Sequence, residues 1–427
     1  MSTHELSQNF LLQLAIIVIV VRIFARLARK VDQPVVIAEI IAGILLGPSV
    51  LGILMPVWQS RLFPGESIEV IFVLGQVGLV IYMFLAGAEF NLDSMSERPA
   101  SAISISVSGI VVPFGLGAGL ALALRDDPRL FVPGVTKAEA AVFLGAAMSI
   151  TALPVLTRIL KDRGMAGSRL GSLALGAAVI DDAVAWCLLA LVLASLSGDG
   201  SSAALTFGGG VLFVGLMLTV GRWLFRRLAS RNDAQSIRGP LLHSVFWLLM
   251  LSALFTDLIG IHAIFGAFVL GLAMPRGLVS RDQERNREPL LNYLLLPLFF
   301  VYSGLNTRLG LVALEPRMWT IGLAILLIAC IGKGLGCWAA ARLSGEPNRE
   351  AMGIGALMNA RGLTELILLN IGLERGILQP AMFAMMVVMA LVTTLMATPL
   401  LKAFYERPRQ PALGPGAAPE LLSIETA

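Results

Sequence analysis

Two adjacent carboxylates stand in the middle of an apolar run. Leu173 to Ile180 leads into Asp181-Asp182, and Ala183-Val184-Ala185-Trp186 follows. On a helix the pair lies roughly 15 Å along a run that crosses an apolar layer about 30 Å thick. Each charge at that depth costs at least about 2.5–3.5 kcal/mol on insertion scales, so two together need compensation. One cation is at hand: Lys333, in Ile331-Gly332-Lys333-Gly334, stands roughly 12 Å from the end of another apolar run. Adjacent helical residues point about 100° apart, so one carboxylate can pair with Lys333 while the other faces a cavity. A static clasp between two helices would need only one Asp. An unpaired buried carboxylate is a proton acceptor and also a hard oxygen ligand for a small cation. A group that holds either, and never both well, is the minimal device for exchanging a cation against a proton. Asp182 or Asp181 would carry the metal cation as cargo, and no resident cofactor is implied.

Two further apolar runs are interrupted. One carries Ser149-Ile150-Thr151-Ala152-Leu153-Pro154, where Pro154 deletes a backbone donor and frees carbonyls beside the Ser149 and Thr151 hydroxyls. The other carries Asn359-Ala360-Arg361-Gly362-Leu363-Thr364-Glu365. Arg361 and Glu365 are spaced i and i+4, so they share a helix face and can neutralise each other. Glu39 reads as a helix-packing acid and His262 as a hydrogen-bonded interfacial residue. Gly115-Leu116-Gly117-Ala118-Gly119 reads as small residues permitting close helix packing.

The elements that position these groups are set by composition. Of 427 residues, 57% are hydrophobic and only 14% charged, against roughly 25% charged in soluble domains. So few charges cannot cover such a core in water, and most of the surface must face lipid. Disorder, coiled coil and nucleic-acid binding are excluded by the same figures, since the net charge is only +4. Cys187, Cys330 and Cys337 all sit in apolar stretches, with no disulfide framework and no paired ligand spacing.

The sequence predicts an all-α polytopic membrane protein with about thirteen transmembrane helices. They lie near 9–28, 34–54, 68–88, 99–124, 139–160, 170–196, 203–222, 240–259, 262–276, 289–306, 318–341, 351–373 and 379–401. The N-terminus lacks a basic region and cleavage site, and reads as a first span rather than a signal peptide. With the N-terminus outside, Lys and Arg favour the cytoplasmic flanks by about three to one, as the positive-inside rule requires. Residues 404–427 then read as a disordered cytoplasmic tail in a cell (inner) membrane protein. An odd total makes two six-helix sets around one crossing helix enter from opposite faces. Such inverted repeats are typical of secondary transporters. The interrupted fifth and twelfth spans occupy corresponding places in the two sets, which points to a binding site between two discontinuous crossing helices.

At these residues the chain resembles monovalent cation/proton antiporters of the Kef and Nap type. The resemblance lies in Val36 to Pro48, Phe84 to Gly87, Thr151 to Pro154, Ile180-Asp181-Asp182, His262 to Phe268, Pro297 to Phe300 and Leu357 to Gly362. It runs from about residue 9 to 403. It implies that Asp182 is the cation- and proton-binding carboxylate and Asp181 the partner of Lys333. It also implies that Thr151 lies at the crossing of two broken helices, with Asn359 and Arg361 on the other. The implied fold has an ion-transport core of 99–200 and 316–403 moving as an elevator. Residues 9–98 and 240–315 form a homodimer scaffold, and 203–238 a linker helix and loop. Kef-type members often add a C-terminal nucleotide-binding domain, which is not expected here. The Asp pair with Lys resembles the electrogenic branch, while the residues alone allow one-for-one electroneutral exchange. Na+ against K+ stays open. An intramembrane aspartyl protease needs carboxylates facing each other from different helices, which adjacent aspartates do not supply. A cation channel or an ion-coupled symporter on the same fold is the remaining alternative.

Overall fold

The computed structural model describes residues 2–89, 99–165, 167–196, 200–231, 240–260, 262–275, 290–313 and 315–405. Among them regular structure is helical, apart from one antiparallel bridge between Phe131 and Leu378. The tail beyond 405, the loop end of the linker at 232–239 and the segment 90–98 lie outside the described residues.

The helices are α1 (Thr3–Lys30), α2 (Val35–Leu46), α3 (Gly65–Glu89), α4 (Pro99–Leu124), α5a (Lys137–Ser149), α5b (Leu153–Asp162) and α6 (Arg169–Leu196). There follow α7 (Gly200–Leu216), α8 (Pro240–Leu258), α9 (Ala263–Ala273), α10 (Leu296–Leu305) and α11 (Pro316–Cys330). Last come α12a (Asn348–Met358), α12b (Leu363–Glu374) and α13 (Pro380–Phe404). α11 continues through a wide π-type turn, Ile331–Leu335, into Gly336–Leu343. Starts are set by local chemistry. Ser2 with Glu5, and Thr136 with Glu139, close capping boxes on α1 and α5a.

Among the described residues, eight helices are long and apolar enough to cross a membrane. The breaks explain part of the difference from thirteen. α5 is divided into pieces of 13 and 10 residues and α12 into pieces of 11 and 12. Each piece alone is shorter than the roughly 20 residues a span needs. α9 is shorter than its expected segment, with 11 residues, because His262 caps it at one end and the helix stops at Ala273.

The helices pack in two groups. α1, α2, α3, α8, α9 and α10 lie against one another, as do α4, α5, α6, α11, α12 and α13; α7 touches α6, and the π-type turn Met217–Gly221 that follows α7 touches α9. In the first group α2 and α10 approach backbone to backbone. A Cβ on Gly43 would stand 2.3 Å from the Val301 carbonyl oxygen, and one on Gly304 2.5 Å from that of Ile40. Small residues allow such contact where no hydrophobic drive separates helix from lipid. Gly43→Leu is therefore expected to force α2 from α10 at an overpacking cost of about 1–3 kcal/mol. Thermal unfolding of the detergent-solubilised chain checks this, and an unchanged midpoint would contradict the contact. In the Gly115–Gly119 stretch only part of the expectation holds. Gly117 packs on α5a, while Gly115 and Gly119 have nothing near a Cβ position.

In the second group, the α4–α5a loop is tied to the α12b–α13 turn. Val132 N–H donates to the Ile377 carbonyl at 3.1 Å, and Gln379 N–H to that of Leu130 at 3.0 Å. Arg129 bridges Asp127 at 3.0 Å and also Glu315, at the start of α11. Hydrogen bonding from Arg129 holds the Asp127 carboxyl below the usual aspartate range. A depressed value contributes stability above the unfolded-state value, and that contribution is lost as pH falls through the folded one. Asp127→Asn should flatten the acid limb of thermal midpoint against pH. An acid limb identical to the native one would contradict this role. Polar contacts also join the two groups, among them Asn370 Nδ2 to Ser303 Oγ at 2.9 Å and Lys402 Nζ to Asp32 at 2.8 Å.

Candidate functional site

The two chain breaks meet. α5a ends at Ser149 with Ile150 in an extended conformation, and α12a ends at Met358. The Ala152 N–H donates to the Ala360 carbonyl at 3.1 Å, joining the breaks through their backbones. Pro154 is the second residue of α5b, where a missing N–H has no intrahelical partner to lose. It therefore starts the second half-helix, and the break precedes it.

Beside this junction the aspartate pair of α6 divides its partners. Lys333 Nζ is 2.8 Å from Asp181 Oδ2, with both side chains at 0% exposure. Thr151 Oγ1 donates to the same oxygen at 2.6 Å, and Ser106 Oγ of α4 donates to Asp181 Oδ1 at 2.6 Å. Lys333 lies in the π-type turn of α11, held close to α4. A Cβ on Gly109 would stand 2.6 Å from Cys337 Sγ, so a larger residue there would have to displace the thiol at the contact of α4 with α11. Asp181 is thus fully engaged. Asp182, also at 0% exposure, accepts one bond, from Thr364 Oγ1 at 3.2 Å. Its Oδ2 is buried with no hydrogen-bond partner among the described residues. A buried carboxylate oxygen without a partner is rare and costly.

Ser149 is placed differently from its expected role. Its hydroxyl donates to the Gly145 carbonyl at 2.7 Å, the usual back-bond of a helical serine. Its own carbonyl, freed by the break, accepts from Lys333 Nζ. The break therefore supplies a backbone oxygen where a side-chain oxygen was expected.

Arg361 is buried across the junction. Its guanidinium donates to the carbonyls of Ala147 at 3.1 Å and Met148 at 2.8 Å, at the open end of α5a. A cation at a helix C-terminus is favourably placed against the helix dipole. Glu365 lies 3.4 Å from Arg361, so the i,i+4 pair forms, though Arg361 Nε and Glu365 Oε2 find no partner among the described residues. Thr394 of α13 clamps the break by accepting from Arg361 N–H at 2.9 Å and donating to its carbonyl at 2.8 Å. Asn359 turns away from the aspartates, and its Nδ2 donates to the Cys330 carbonyl at 3.4 Å. His262 caps α9 and lies 3.4 Å from Gln76 Nε2.

Ser106, Thr364 and Thr394 do not stand out in the sequence. Thr364 lies inside the polar interruption of the twelfth span. Hydroxyls in apolar helices are common and usually bond to their own backbone, so type and position alone do not single out these three.

A buried carboxylate pair, one member locked and the other half-free, thus stands at the crossing of two broken helices. Residues 15–406 match the family model described as sodium/hydrogen exchanger, transmembrane. The chain belongs to the sodium/hydrogen exchanger family. It is 39% identical over 414 residues to the Na+/H+ antiporter NhaS4 of Synechocystis, covering 94% of this chain and 99% of that one. It is 30% identical to the Na+/H+-K+ antiporter GerN of Bacillus cereus, covering 92% and 96%. It is 33% identical to the K+/H+ antiporter 1 of Saccharomyces cerevisiae, of which it spans 46%. The fold is similar to that of the sodium proton antiporter MjNhaP1 from Methanocaldococcus jannaschii. The TM-score is 0.65 at 16% identity, over 93% of this chain and 97% of that one. The chain is thus a multi-pass membrane protein of a transporter family, and its relatives are antiporters rather than enzymes.

Proposed function

We propose that the chain exchanges a monovalent cation, Na+ or K+, for protons by competition at Asp182. The observation that carries this is the division of labour in the pair. Asp181 is saturated by Lys333, Thr151 and Ser106, while Asp182 keeps a buried oxygen without a partner. A proton or a small cation satisfies that oxygen, and each excludes the other. With Lys333 charged, the two aspartates and the lysine sum to −1, so one monovalent cation neutralises the site. Thr151 and Thr364 fix the carboxylates, and the Ser149 carbonyl holds Lys333. Arg361, paired with Glu365, satisfies the free C-terminal carbonyls of α5a, and Asn359 and Pro154 bound the breaks.

The two helix groups support an elevator in which α4–α6 and α11–α13 carry the site past a scaffold of α1–α3 and α8–α10. Each group draws three helices from either side of α7, the pattern of two inverted six-helix repeats in a thirteen-span chain. The scaffold would pair two copies as a homodimer in a cell membrane, with the N-terminus outside. The names of the relatives, Na+/H+ in one and K+/H+ in another, favour alkali cations as cargo.

Addition of Na+, K+ or Li+ to proteoliposomes with an internal pH dye tests this. The expected result is a cation-dependent alkalinisation of the lumen for at least one ion, because protons leave as the cation enters. Cation conduction without proton movement would instead indicate a channel.

A further inference from the structure

Polar contacts between the two helix groups fall into two belts, one toward each side of the membrane. With the N-terminus outside, the first belt is cytoplasmic, and it is wet. Asp32, in the turn between α1 and α2, meets Lys402 of α13 at 2.8 Å and Arg163, one residue past α5b, at 3.8 Å. The Asp32 and Lys402 side chains are 61% and 45% exposed, and ion pairs so solvated hold little.

The second belt lies beyond the chain breaks, toward the outside, and it is dry. Asn370 stands seven residues past the start of α12b, roughly 10 Å along the helix. Its Nδ2 donates to Ser303 Oγ of α10 at 2.9 Å and to the Leu366 carbonyl at 2.8 Å. Asn370 is 4% exposed and Ser303 0%. Phe299, Phe300, Ile367 and Ile371, all within four residues of the pair, belong to one buried apolar cluster. One turn further out, Tyr302 donates to Glu374 at 3.3 Å. Hydroxyls in these helices usually bond to their own backbone, as those of Thr256, Thr307 and Thr393 do. Ser303 instead accepts from the other helix group.

We propose that Asn370 and Ser303 form the outer gate of the exchange path. Their hydrogen bond closes the site from the outside in this structure, and it breaks each time the core carries Asp182 outward. A buried bond between two groups that slide past each other does not survive the slide. The gate therefore rests on the elevator of the proposed function. Because the dry belt is the outer one, the gate biases the chain toward the inward arrangement. External cation then meets only a minor population, and its apparent KM from outside is raised in proportion.

The test uses the full chain in right-side-out and inverted membrane vesicles, with KM for Na+ and for K+ measured from each side at one pH. Ser303→Ala removes the acceptor and leaves Asn370 its Leu366 bond. It should lower the external KM about fivefold, the worth of one buried hydrogen bond, and leave the cytoplasmic KM close to native. A second variant, Asn370→Cys with Ser303→Cys, is bridged by a short bifunctional thiol reagent. Bridging should stop exchange and dithiothreitol should restore it, while each single variant treated alike keeps its rate. An external KM unchanged by Ser303→Ala, an equal change on both sides, or full exchange by the bridged pair would overturn the gate while native exchange stands. No exchange by the native chain from either side would remove the proposed function, and the gate with it.

Discussion

Asp182→Asn should abolish cation-driven proton movement in proteoliposomes without unfolding the chain. The substitution keeps shape and volume, and the new amide oxygen still accepts from Thr364 Oγ1, now 3.2 Å from the carboxylate. What disappears is the negative charge and the second oxygen, the one that stands buried with no partner among the described residues. A neutral amide neither binds a proton in the operating range nor balances a cation, so the expected rate falls to that of empty liposomes. Removing a half-satisfied buried charge also relieves a desolvation cost. The thermal midpoint of Asp182→Asn should therefore equal or exceed the native one. A variant that still moved protons in response to a cation would reduce the aspartate pair to a structural clasp.

The second large effect is expected at Lys333. Lys333→Met removes the charge partner of Asp181 in a site with 0% side-chain exposure, with only the Thr151 and Ser106 hydroxyls to satisfy it. Breaking one partner of a buried ion pair costs about 3–5 kcal/mol, whereas replacing both partners with neutral groups is often close to neutral. Lys333→Met should therefore lower the thermal midpoint strongly, and Asp181→Asn combined with Lys333→Met should recover most of the loss. The contrast between the single and double variants identifies the ion pair as the cause. Equal midpoints for native chain and single variant would mean that Lys333 is not holding Asp181.

Much of this site is legible in the sequence because charge in lipid is expensive. Asp181, Asp182, Lys333, Arg361 and Glu365 each interrupt an apolar run, and each is buried in the fold. The same expense marks the breaks, where a polar insertion sits inside an otherwise continuous span. Side-chain direction and the division of labour between side chain and backbone are not legible. Ser149 takes part through its carbonyl, because its hydroxyl is spent on its own helix. Asn359, two residues from Arg361, is buried against the Cys330 carbonyl instead of reaching the aspartates. Ser106 and Thr364 reach the pair only because α4 and α12b cross α6 at particular heights, which no local pattern encodes. The helix of 262–276 is shorter than its apolar run, since apolar residues continue where the helix does not.

Competition at one carboxylate is the central claim, and steady-state kinetics tests it most directly. The apparent KM for the transported cation should be measured in proteoliposomes at a series of pH values, with maximal rate recorded at each. Competition predicts that KM rises in proportion to proton concentration on the acid side, approaching tenfold per pH unit, while maximal rate at saturating cation is preserved. A KM that stays constant while the maximal rate falls would contradict it, placing the proton on a site separate from the cation.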